Sequence, residues 1–269
     1  MTIYDQLQTS SSDRIRIGMI VPSSNTVLEP EMCRIAGGLP GVSLHFSRVR
    51  VTEITLEDSA SHQFGLEPMS EAAMLLGDAG VDVVAWAGTS GSWLGIGHDR
   101  DLATTLGLVA GAPATTSTLA LIEACRLARS SRVALVTPYV DGVVARIMAT
   151  YGGEGIEVVA ERHLGITDNS AFAEVREADL RAMAIECADP GADDGEVSQA
   201  VVVACTNLRA ARLAREIEGV LGIPFVDSVA ATLWHAMLLA GRRVSLAGEG
   251  CLLEGVLPAQ EGRLQKGGV

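Results

Sequence analysis

Short apolar runs alternate with longer amphipathic stretches along most of the chain. Five runs predict strands, because they are rich in β-branched residues and nearly continuous in hydrophobic residues, as in a parallel sheet covered by helices. These are RIGMIVP (16–22), VDVVAWAG (81–88), SRVALVTP (131–138), IEVVAERH (156–163) and QAVVVAC (199–205). Ala- and Leu-rich stretches at 68–80, 116–131, 141–155 and 207–222 predict helices, several of them closed by glycine. The alternation indicates an α/β fold with a mainly parallel sheet.

The same pattern occurs twice along the chain. GMIVPSSNT (18–26) aligns with ALVTPYVDG (134–142), and the segment around Gly88 aligns with the segment around Cys205. A third pair follows in the same order, GAPATTSTLALIEA (111–124) with GIPFVDSVAATLWHA (222–236). Gly-x-Pro turns and strand–helix junctions recur in unrelated α/β proteins, but three ordered matches at similar spacing favour a duplicated α/β unit.

Two such units predict two pseudo-symmetric, doubly wound lobes with mainly parallel sheets. Ligands bind beyond the carboxyl ends of parallel strands, so facing lobes would place the active site in the cleft between them. We expect an N-terminal lobe of residues 14–116 plus 228–250 and a C-terminal lobe of residues 117–227. Four strand-end segments would line the cleft: Pro22–Asn25, Gly88–Ser92, Pro138–Asp141 and Cys205–Asn207.

Composition narrows the class of partner. The formal net charge is −13 and no Lys/Arg cluster is present, which argues against nucleic acid, because phosphate binding needs a basic surface. No apolar run is long enough for a membrane helix, and the start MTIYDQLQTSSSDR lacks the features of a secretory signal. We therefore expect a cytoplasmic protein whose partner is a small carboxylate substrate, with no nucleic acid and no membrane. Assembly into a homo-oligomer stays open.

Five scattered cysteines, at positions 33, 125, 187, 205 and 251, show no CxxC pair and no zinc-type spacing. Four of them are interpreted as structural. Cys205 differs, because it ends an apolar strand and precedes a helix expected to begin near Asn207 or Leu208. The positive end of a helix dipole would lower the pKa of this thiol and make it a proton carrier or nucleophile. No Walker motif or dinucleotide fingerprint is found, so we expect chemistry without cofactor or metal.

Neutral hydrogen-bond donors crowd the expected cleft. They are Ser23, Ser24, Asn25, Thr89, Ser90, Tyr139, Thr206 and Asn207. Such donors can hold a carboxylate and stabilise the enediolate that forms when the adjacent carbon loses CO₂ or a proton. Ser, Thr and Asn at strand–helix junctions also cap helices, and for Ser92 and Asn207 both roles stay open. The facing loops favour ligand contact for Asn25, Thr89 and Ser90.

At these residues the sequence resembles the aspartate/glutamate racemase superfamily, in its branch of maleate cis-trans isomerases and arylmalonate decarboxylases, over about residues 14–240. RIGMIVPSSNT resembles the isomerase motif whose asparagine, here Asn25, binds a substrate carboxylate. TPYVDGV supplies Tyr139, and LGITDNSAF places Asn169 where the isomerases use an asparagine. VACTNL carries the catalytic cysteine, Cys205. The resemblance implies a substrate-binding set completed by Ser24, Gly88, Thr89, Ser90 and Thr206.

Racemases and maleate isomerases of this superfamily use two cysteines, one from each lobe, but Gly88 stands where the first would be. The sequence Gly-Thr-Ser at 88–90 resembles the arylmalonate decarboxylases, which keep only the second cysteine. Decarboxylation needs one thiol, because loss of CO₂ itself generates the enediolate that the thiol protonates. We therefore predict a cofactor-independent decarboxylase of a small, 2-substituted malonate-like carboxylate, with Gly88 leaving room opposite Cys205. Two alternatives are a maleate isomerase-like or racemase-type isomerase and a non-catalytic carboxylate-binding protein.

Overall fold

The computed structural model describes residues 14–56, 62–188 and 197–256 of the chain. The strands are β1 (Ile15–Pro22), β2 (Val42–Val49), β3 (Val83–Trp86), β4 (Ala114–Thr116), β5 (Arg132–Thr137), β6 (Glu157–His163), β7 (Ala200–Val203) and β8 (Phe225–Asp227). The α-helices are α1 (Leu28–Ala36), α2 (Leu66–Asp78), α3 (Gly91–Leu94), α4 (Ile96–Ala110), α5 (Ser117–Leu127), α6 (Asp141–Gly153), α7 (Glu177–Ala188), α8 (Ala214–Leu221), α9 (Ser228–Leu239) and α10 (Cys251–Glu254).

The strands form two parallel sheets with the same topology. The first has the order β2-β1-β3-β4 and the second the order β6-β5-β7-β8, so each strand of the first sheet has a counterpart four strands later. Every strand pair within the two sheets is parallel. The α/β fold with two pseudo-symmetric lobes is therefore confirmed, and the sequence repeat corresponds to β1 with β5, β3 with β7 and β4 with β8.

The core follows from the apolar strand runs. All four residues of β3 and all four of β7 are buried, which is expected for central strands covered on both faces. Between the sheets, α5 packs against α9, and Thr232 Oγ1 donates a 2.7 Å hydrogen bond to Ser117 Oγ across that contact. Helix α9 follows the second sheet but contacts β3 and β4 of the first, whereas α5 also contacts β8. The helices that follow the last strand of each sheet thus connect the lobes.

Several elements differ from the sequence prediction. Strand β2 was not predicted because its sequence, VSLHFSRV, alternates apolar and polar residues instead of forming a continuous apolar run, and β4 and β8 have only three residues each. The stretch 207–222 was predicted as one helix, but α8 begins at Ala214 after a short 3₁₀ turn at Ala211–Leu213. The chain directly after Cys205 is therefore a loop.

The lobe boundaries given above stay a prediction. The N-terminal residues 1–13, on which the absence of a secretory signal was judged, lie outside the described residues. Within the described ranges, every helix is too short or too polar to cross a bilayer. In the same ranges, no three His, Cys, Asp or Glu side chains are grouped so that they could hold a metal ion.

Candidate active site

The two lobes are joined by reciprocal hydrogen bonds at the carboxyl ends of β3 and β7. Thr89 Oγ1 donates to the carbonyl oxygen of Ala204 at 3.4 Å, and Thr206 Oγ1 donates to the carbonyl oxygen of Ala87 at 3.0 Å. Thr89 and Thr206 are counterparts in the repeat. Each of them bonds to the residue that lies two positions before the other. The pseudo-twofold axis therefore passes between the two loops, as the sequence repeat predicts.

Gly88 and Cys205 are the residues that these two bonds enclose. Each follows the last residue of a central strand by two positions, and each is flanked by a threonine that bonds to the opposite lobe. Side chains at the two positions would therefore face the same space from opposite sides. This arrangement supports the prediction that the difference between glycine and cysteine is a difference across one site.

The thiol of Cys205 is 2% exposed, and its environment keeps it protonated. Burial raises the pKa of Cys205 to about 12, although hydrogen bonds from Tyr139 and from the N–H groups of Asn207 and Leu208 act in the opposite direction. The sequence-based expectation of a lowered pKa is wrong for two reasons. No helix begins near Asn207, since α8 starts at Ala214, and desolvation outweighs the hydrogen bonds. At neutral pH the group is a proton donor rather than a thiolate.

Tyr139 links this thiol to the opposite lobe. Its hydroxyl lies 2.9 Å from Thr89 Oγ1 and also hydrogen-bonds the thiol of Cys205. Burial raises the pKa of Tyr139 well above its usual value, and the nearby Cys205 acts in the same direction. The ring packs edge-on against Trp93 and Phe172, with centroids 5.1 and 5.5 Å apart. The result is a hydroxyl–hydroxyl–thiol chain against an aromatic wall.

The space expected at Gly88 is occupied by a side chain of the same lobe. A β-carbon at position 88 would lie 2.4 Å from Cζ2 of Trp86, and the indole N–H of Trp86 donates to Ser90 Oγ at 2.9 Å. Trp86 is fully buried. The expectation that Gly88 leaves room for a leaving group or a bulky substituent is therefore wrong. Glycine is required here because the indole packs directly on its backbone.

Asn25 is fully buried and has two structural roles. Its Oδ1 accepts hydrogen bonds from the backbone N–H groups of Val27 and Leu28 at 3.0 and 2.9 Å, which caps α1. Its Nδ2 donates to Thr206 Oγ1 at 3.1 Å, across the two lobes. An amide nitrogen has two hydrogens, so the second stays a candidate donor to a substrate carboxylate. That substrate contact stays a prediction.

A second group of contacts joins the lobes on the other side of Asn25. Asn169 Nδ2 donates to Ser24 Oγ at 2.7 Å, and Ser24 Oγ donates in turn to the carbonyl oxygen of Val51 at 2.6 Å. Asn207 Oδ1 accepts from the N–H of Thr26 at 3.0 Å, while its Nδ2 donates to the carbonyl oxygen of Asn169. Asn207 is therefore a cross-lobe clamp rather than the cap of its own helix.

The structure places the sequence-predicted residues together where the two lobes meet, and most of them are buried and joined by hydrogen bonds. They are Ser24, Asn25, Gly88, Thr89, Ser90, Tyr139, Asn169, Cys205 and Thr206. Three features were missed: the indole of Trp86 over Gly88, the clamp formed by Asn207, and the buried carboxyl of Asp227 at the end of β8. The sequence did contain a signal for Asp227, because the third pair of repeated segments aligns Asp227 with Thr116.

With this geometry in place, comparison with known proteins identifies the family. The family model for arylmalonate decarboxylase matches residues 17–253, which covers both sheets except the first two residues of β1, and all of the site residues above. The chain belongs to the arylmalonate decarboxylase family. Arylmalonate decarboxylase from Bordetella bronchiseptica is 30% identical over 226 residues, which is 84% of this chain and 90% of the relative.

The relatives of this arylmalonate decarboxylase family member also include isomerases. Maleate isomerase from Pseudomonas putida KT2440 is 29% identical over 251 residues, covering 89% of this chain and 97% of the relative. The crystal structure of a maleate isomerase variant from Pseudomonas putida S16 with maleate has a TM-score of 0.81 at 29% identity, covering 90% and 98% of the two chains. The superfamily branch and the enzyme class are thereby confirmed: the chain is an enzyme, a decarboxylase or an isomerase of small dicarboxylates. A non-catalytic role finds no support among these relatives.

Proposed function

We propose that this protein is a cofactor-independent decarboxylase of a 2-substituted malonate, with Cys205 as its single proton donor. The observation that carries the proposal is the asymmetry of the site. One lobe presents a buried thiol whose pKa is raised to about 12, and the corresponding position of the other lobe is Gly88 covered by the indole of Trp86. One protonated thiol is sufficient for decarboxylation, whereas a two-base proton exchange needs a second base.

The proposed reaction has two steps. One carboxylate of the substrate leaves as CO₂, and the electron pair of the broken C–C bond passes to the remaining carboxylate as an enediolate. The S–H proton of Cys205 then moves to the former malonate carbon, which leaves a thiolate and the product monocarboxylate. Hydroxyl and amide donors fixed before the reaction would stabilise the enediolate at low reorganisation cost.

Three of the residues around the thiol are suited to that stabilising role. The Ser90 hydroxyl accepts the indole N–H of Trp86, so its own hydrogen is directed elsewhere as a donor. The hydrogen of Thr89 is donated to the carbonyl oxygen of Ala204, and that of Tyr139 lies between Thr89 and the thiol of Cys205, so either hydroxyl would exchange one of these bonds for a bond to the ligand. All three side chains are at most 3% exposed, and hydrogen bonds to an anion are stronger in such a dry environment.

Isomerisation of a maleate-like cis-diacid is the second candidate, because the relatives of this chain include maleate isomerases. Ser24, Asn25 and Asn169 lie together as in the motifs that resemble the isomerases. Addition to a double bond requires a nucleophile, and a thiol with a pKa near 12 is almost entirely un-ionised at neutral pH. The protonation state of Cys205 therefore favours decarboxylation.

The test measures CO₂ release from three malonates: methylmalonate, phenylmalonate and 2-methyl-2-phenylmalonate. We expect release from at least one of them and a loss of about 10²–10⁴-fold in Cys205→Ala, because a positioned proton donor contributes that much. The matched control is Cys125→Ala, which removes another buried thiol whose pKa is also raised to about 12, on α5 away from the strand ends. This variant should keep its activity.

The same preparations are incubated with maleate and followed by NMR. Conversion of maleate to fumarate without CO₂ release from any malonate would replace the proposal by isomerisation. Binding of these acids without turnover of any of them would favour a carboxylate-binding protein. A Cys205→Ala variant that releases CO₂ at the wild-type rate would refute the role of the thiol.

A further inference from the structure

A buried carboxyl group lies at the end of β8, in the lobe that carries the thiol. Asp227 is 1% exposed, and its Oδ1 accepts hydrogen bonds from the N–H groups of Val229 and Ala230 at 2.8 and 3.0 Å, which caps α9. Within the described part of the chain, its Oδ2 is buried without a hydrogen-bond partner. The capping role accounts for one carboxyl oxygen only, and an unpaired buried oxygen is costly.

Strand register places this carboxyl on the same side of the sheet as Cys205. Asp227 of β8 pairs with Val203 of β7, and side chains of paired residues in a parallel sheet point to the same face. Cys205 lies two positions after Val203, just past the end of β7, where the N–H of Ala204 still bonds to the carbonyl oxygen of Val136 on β5, so the extended course of the strand continues toward Cys205. The charge of Asp227 raises the pKa of the Cys205 thiol, so the two groups interact electrostatically.

The other lobe offers an internal comparison. There Thr116 pairs with Trp86 and caps α5 by accepting the N–H of Leu119 at 3.1 Å, as Asp227 caps α9. Thr116 thus pairs with the residue two positions before Gly88, just as Asp227 pairs with the residue two positions before Cys205. Of the two corresponding positions, the one in the thiol's lobe carries the carboxyl group and the one in the glycine's lobe carries a hydroxyl, which donates to the buried carboxyl of Asp99.

The environment of Asp227 favours its protonated form. Burial raises the pKa of Asp227 to about 7, against the two backbone hydrogen bonds; Glu31 raises it further, and Arg34 on the same helix α1 lowers it. Two other titratable groups near β8, Glu218 on α8 and Cys251 on α10, lie at its opposite end from Asp227. There Glu218 accepts hydrogen bonds from the Cys251 thiol and from the N–H of Phe225. At neutral pH a pKa of about 7 leaves the carboxyl group about half protonated, and the protonated fraction can supply a proton to a neighbouring thiolate.

Decarboxylation leaves Cys205 as a thiolate inside a buried site, and it must regain a proton before the next turnover. We propose, resting on the decarboxylase function above, that Asp227 is the proton reservoir of Cys205. No direct hydrogen bond joins the two side chains within the described residues, so one bridging water carries the proton. The O–H bond of the Asp227 carboxyl breaks as the water accepts its proton, an O–H bond of the water breaks as a new S–H bond forms on Cys205, and Asp227 becomes a carboxylate. Water returns a proton to Asp227 once the product has left. Because Asp227 acts through Cys205 and does not contact the substrate, it is a positioning residue for the proton.

The test separates the first turnover from those that follow. Asp227→Asn keeps an oxygen that can cap α9 but removes the transferable proton. With the malonate that the wild type decarboxylates, rapid-quench measurement should show one equivalent of CO₂ per site at the wild-type rate. Later turnovers should be at least tenfold slower, whereas the wild type releases CO₂ linearly. Linear release at the wild-type rate, or an equal loss in the first and later turnovers, would overturn the proposal.

Asp99→Asn is the matched control. Asp99 is fully buried on α4 of the other lobe, burial raises its pKa to about 7, and its Oδ1 likewise has no partner within the described residues. This variant should show no burst, and a burst like that of Asp227→Asn would overturn the proposal. If Asp227→Asn does not fold, as judged by circular dichroism, Asp227→Ser provides another capping side chain without a carboxyl group, and the same outcomes apply.

An arm without turnover separates this inference from the proposed function. The alkylation rate of Cys205, followed by peptide mass spectrometry as a function of pH, reports the pKa of the thiol in any variant. Loss of the neighbouring negative charge in Asp227→Asn should shift this alkylation profile to lower pH. If no malonate is decarboxylated, the proposed function fails while this arm still measures the coupling. Superimposable profiles in wild type and variant would overturn the inference by themselves.

Discussion

The indole of Trp86 lies where a side chain at position 88 would begin, whereas the corresponding position in the other lobe carries the thiol of Cys205. The glycine is thus part of a packed arrangement, in which the hydroxyl of Ser90 also holds the indole N–H. A second thiol could not be introduced there without moving a fully buried tryptophan. The site is committed to a single thiol by packing as well as by sequence.

We expect Gly88→Cys to lower the free energy of unfolding by about 1–3 kcal/mol, the usual cost of overpacking a core. The physical reason is the 2.4 Å approach of the new β-carbon to Cζ2 of Trp86. Gly97→Cys is the matched control, because a β-carbon at that helical position meets nothing within 4 Å. Urea unfolding of both variants measures the difference.

Combining Gly88→Cys with Trp86→Ala should relieve the clash, so the double variant should be more stable than the two single effects added together. A Gly88→Cys protein as stable as the wild type would show that the indole moves without cost. That result would remove the packing argument for a single-thiol site.

The chemical identity of the site was accessible from the sequence, but the protonation state of its thiol was not. Strand ends of a duplicated unit must converge, so Thr89, Tyr139, Cys205 and Thr206 could be grouped from the repeat and the resemblance. The pKa of Cys205 depends on its burial and on the structure of the next few residues. Those residues form a loop, so the assumed helix dipole is absent and desolvation decides the direction.

At the scale of elements, the long apolar strands and the central helices followed from their patterns. Elements of three residues, such as β4 and β8, are too short to produce a periodic signal, and their positions became visible through the Gly-x-Pro repeat alone. The alternation of apolar and polar residues in β2 is the pattern of a half-exposed strand, and a prediction based on continuous apolar runs does not include it. Contacts between the lobes could not be predicted, because they join residues far apart in sequence.

Asn207 is the strongest example of such a contact, and it yields a prediction. Asn207→Ala would remove the acceptor of the partly buried Thr26 N–H and the donor to the buried carbonyl oxygen of Asn169, which should cost about 1–3 kcal/mol of unfolding free energy. The loss of the bond to Asn169 should also loosen the cleft and raise KM. Unfolding and steady-state kinetics measure the two effects.

The control for Asn207→Ala is Thr104→Ala, which removes an exposed hydroxyl that bonds to the carbonyl oxygen of Arg100 within α4. Surface changes of this type usually alter stability by less than about 0.5 kcal/mol. Unchanged stability and unchanged KM in Asn207→Ala would contradict its role as a cross-lobe clamp.

At the scale of the whole molecule, buried carboxyl groups make stability depend on pH. Burial raises the pKa of Asp99 from 3.8 to about 7. Between these values the unfolded chain loses this proton while the folded chain keeps it, so the folded state loses stability as pH rises. The stabilisation of the folded state by the protonated Asp99 carboxyl is complete below about pH 4. It declines by at most about 1.4 kcal/mol per pH unit and is gone above about pH 7.

Asp99→Asn lacks this titration, so its stability relative to wild type should increase as pH rises from 5 to 7. Urea unfolding of both proteins at the two pH values measures the change. Other carboxylates contribute equally to both proteins and cancel in the comparison. Identical pH dependence in the two proteins would show that Asp99 titrates normally in the folded state.

The two-lobe architecture also determines the stereochemistry of the proposed reaction. One thiol on one side of the cleft can deliver a proton to one face of a planar enediolate, and the opposite side is closed by Trp86 over Gly88. Product chirality therefore reports directly on the number of proton donors. A racemase-like site with two donors would give both enantiomers.

The most direct measurement is the decarboxylation of prochiral 2-methyl-2-phenylmalonate in D₂O, with the product analysed by chiral chromatography and mass spectrometry. A single donor at Cys205 predicts 2-phenylpropionate with one deuterium at C2 and in one enantiomer, and almost no product from Cys205→Ala. Racemic product, or the same enantiomer formed at the wild-type rate by Cys205→Ala, would contradict the assignment of Cys205 as the single proton donor.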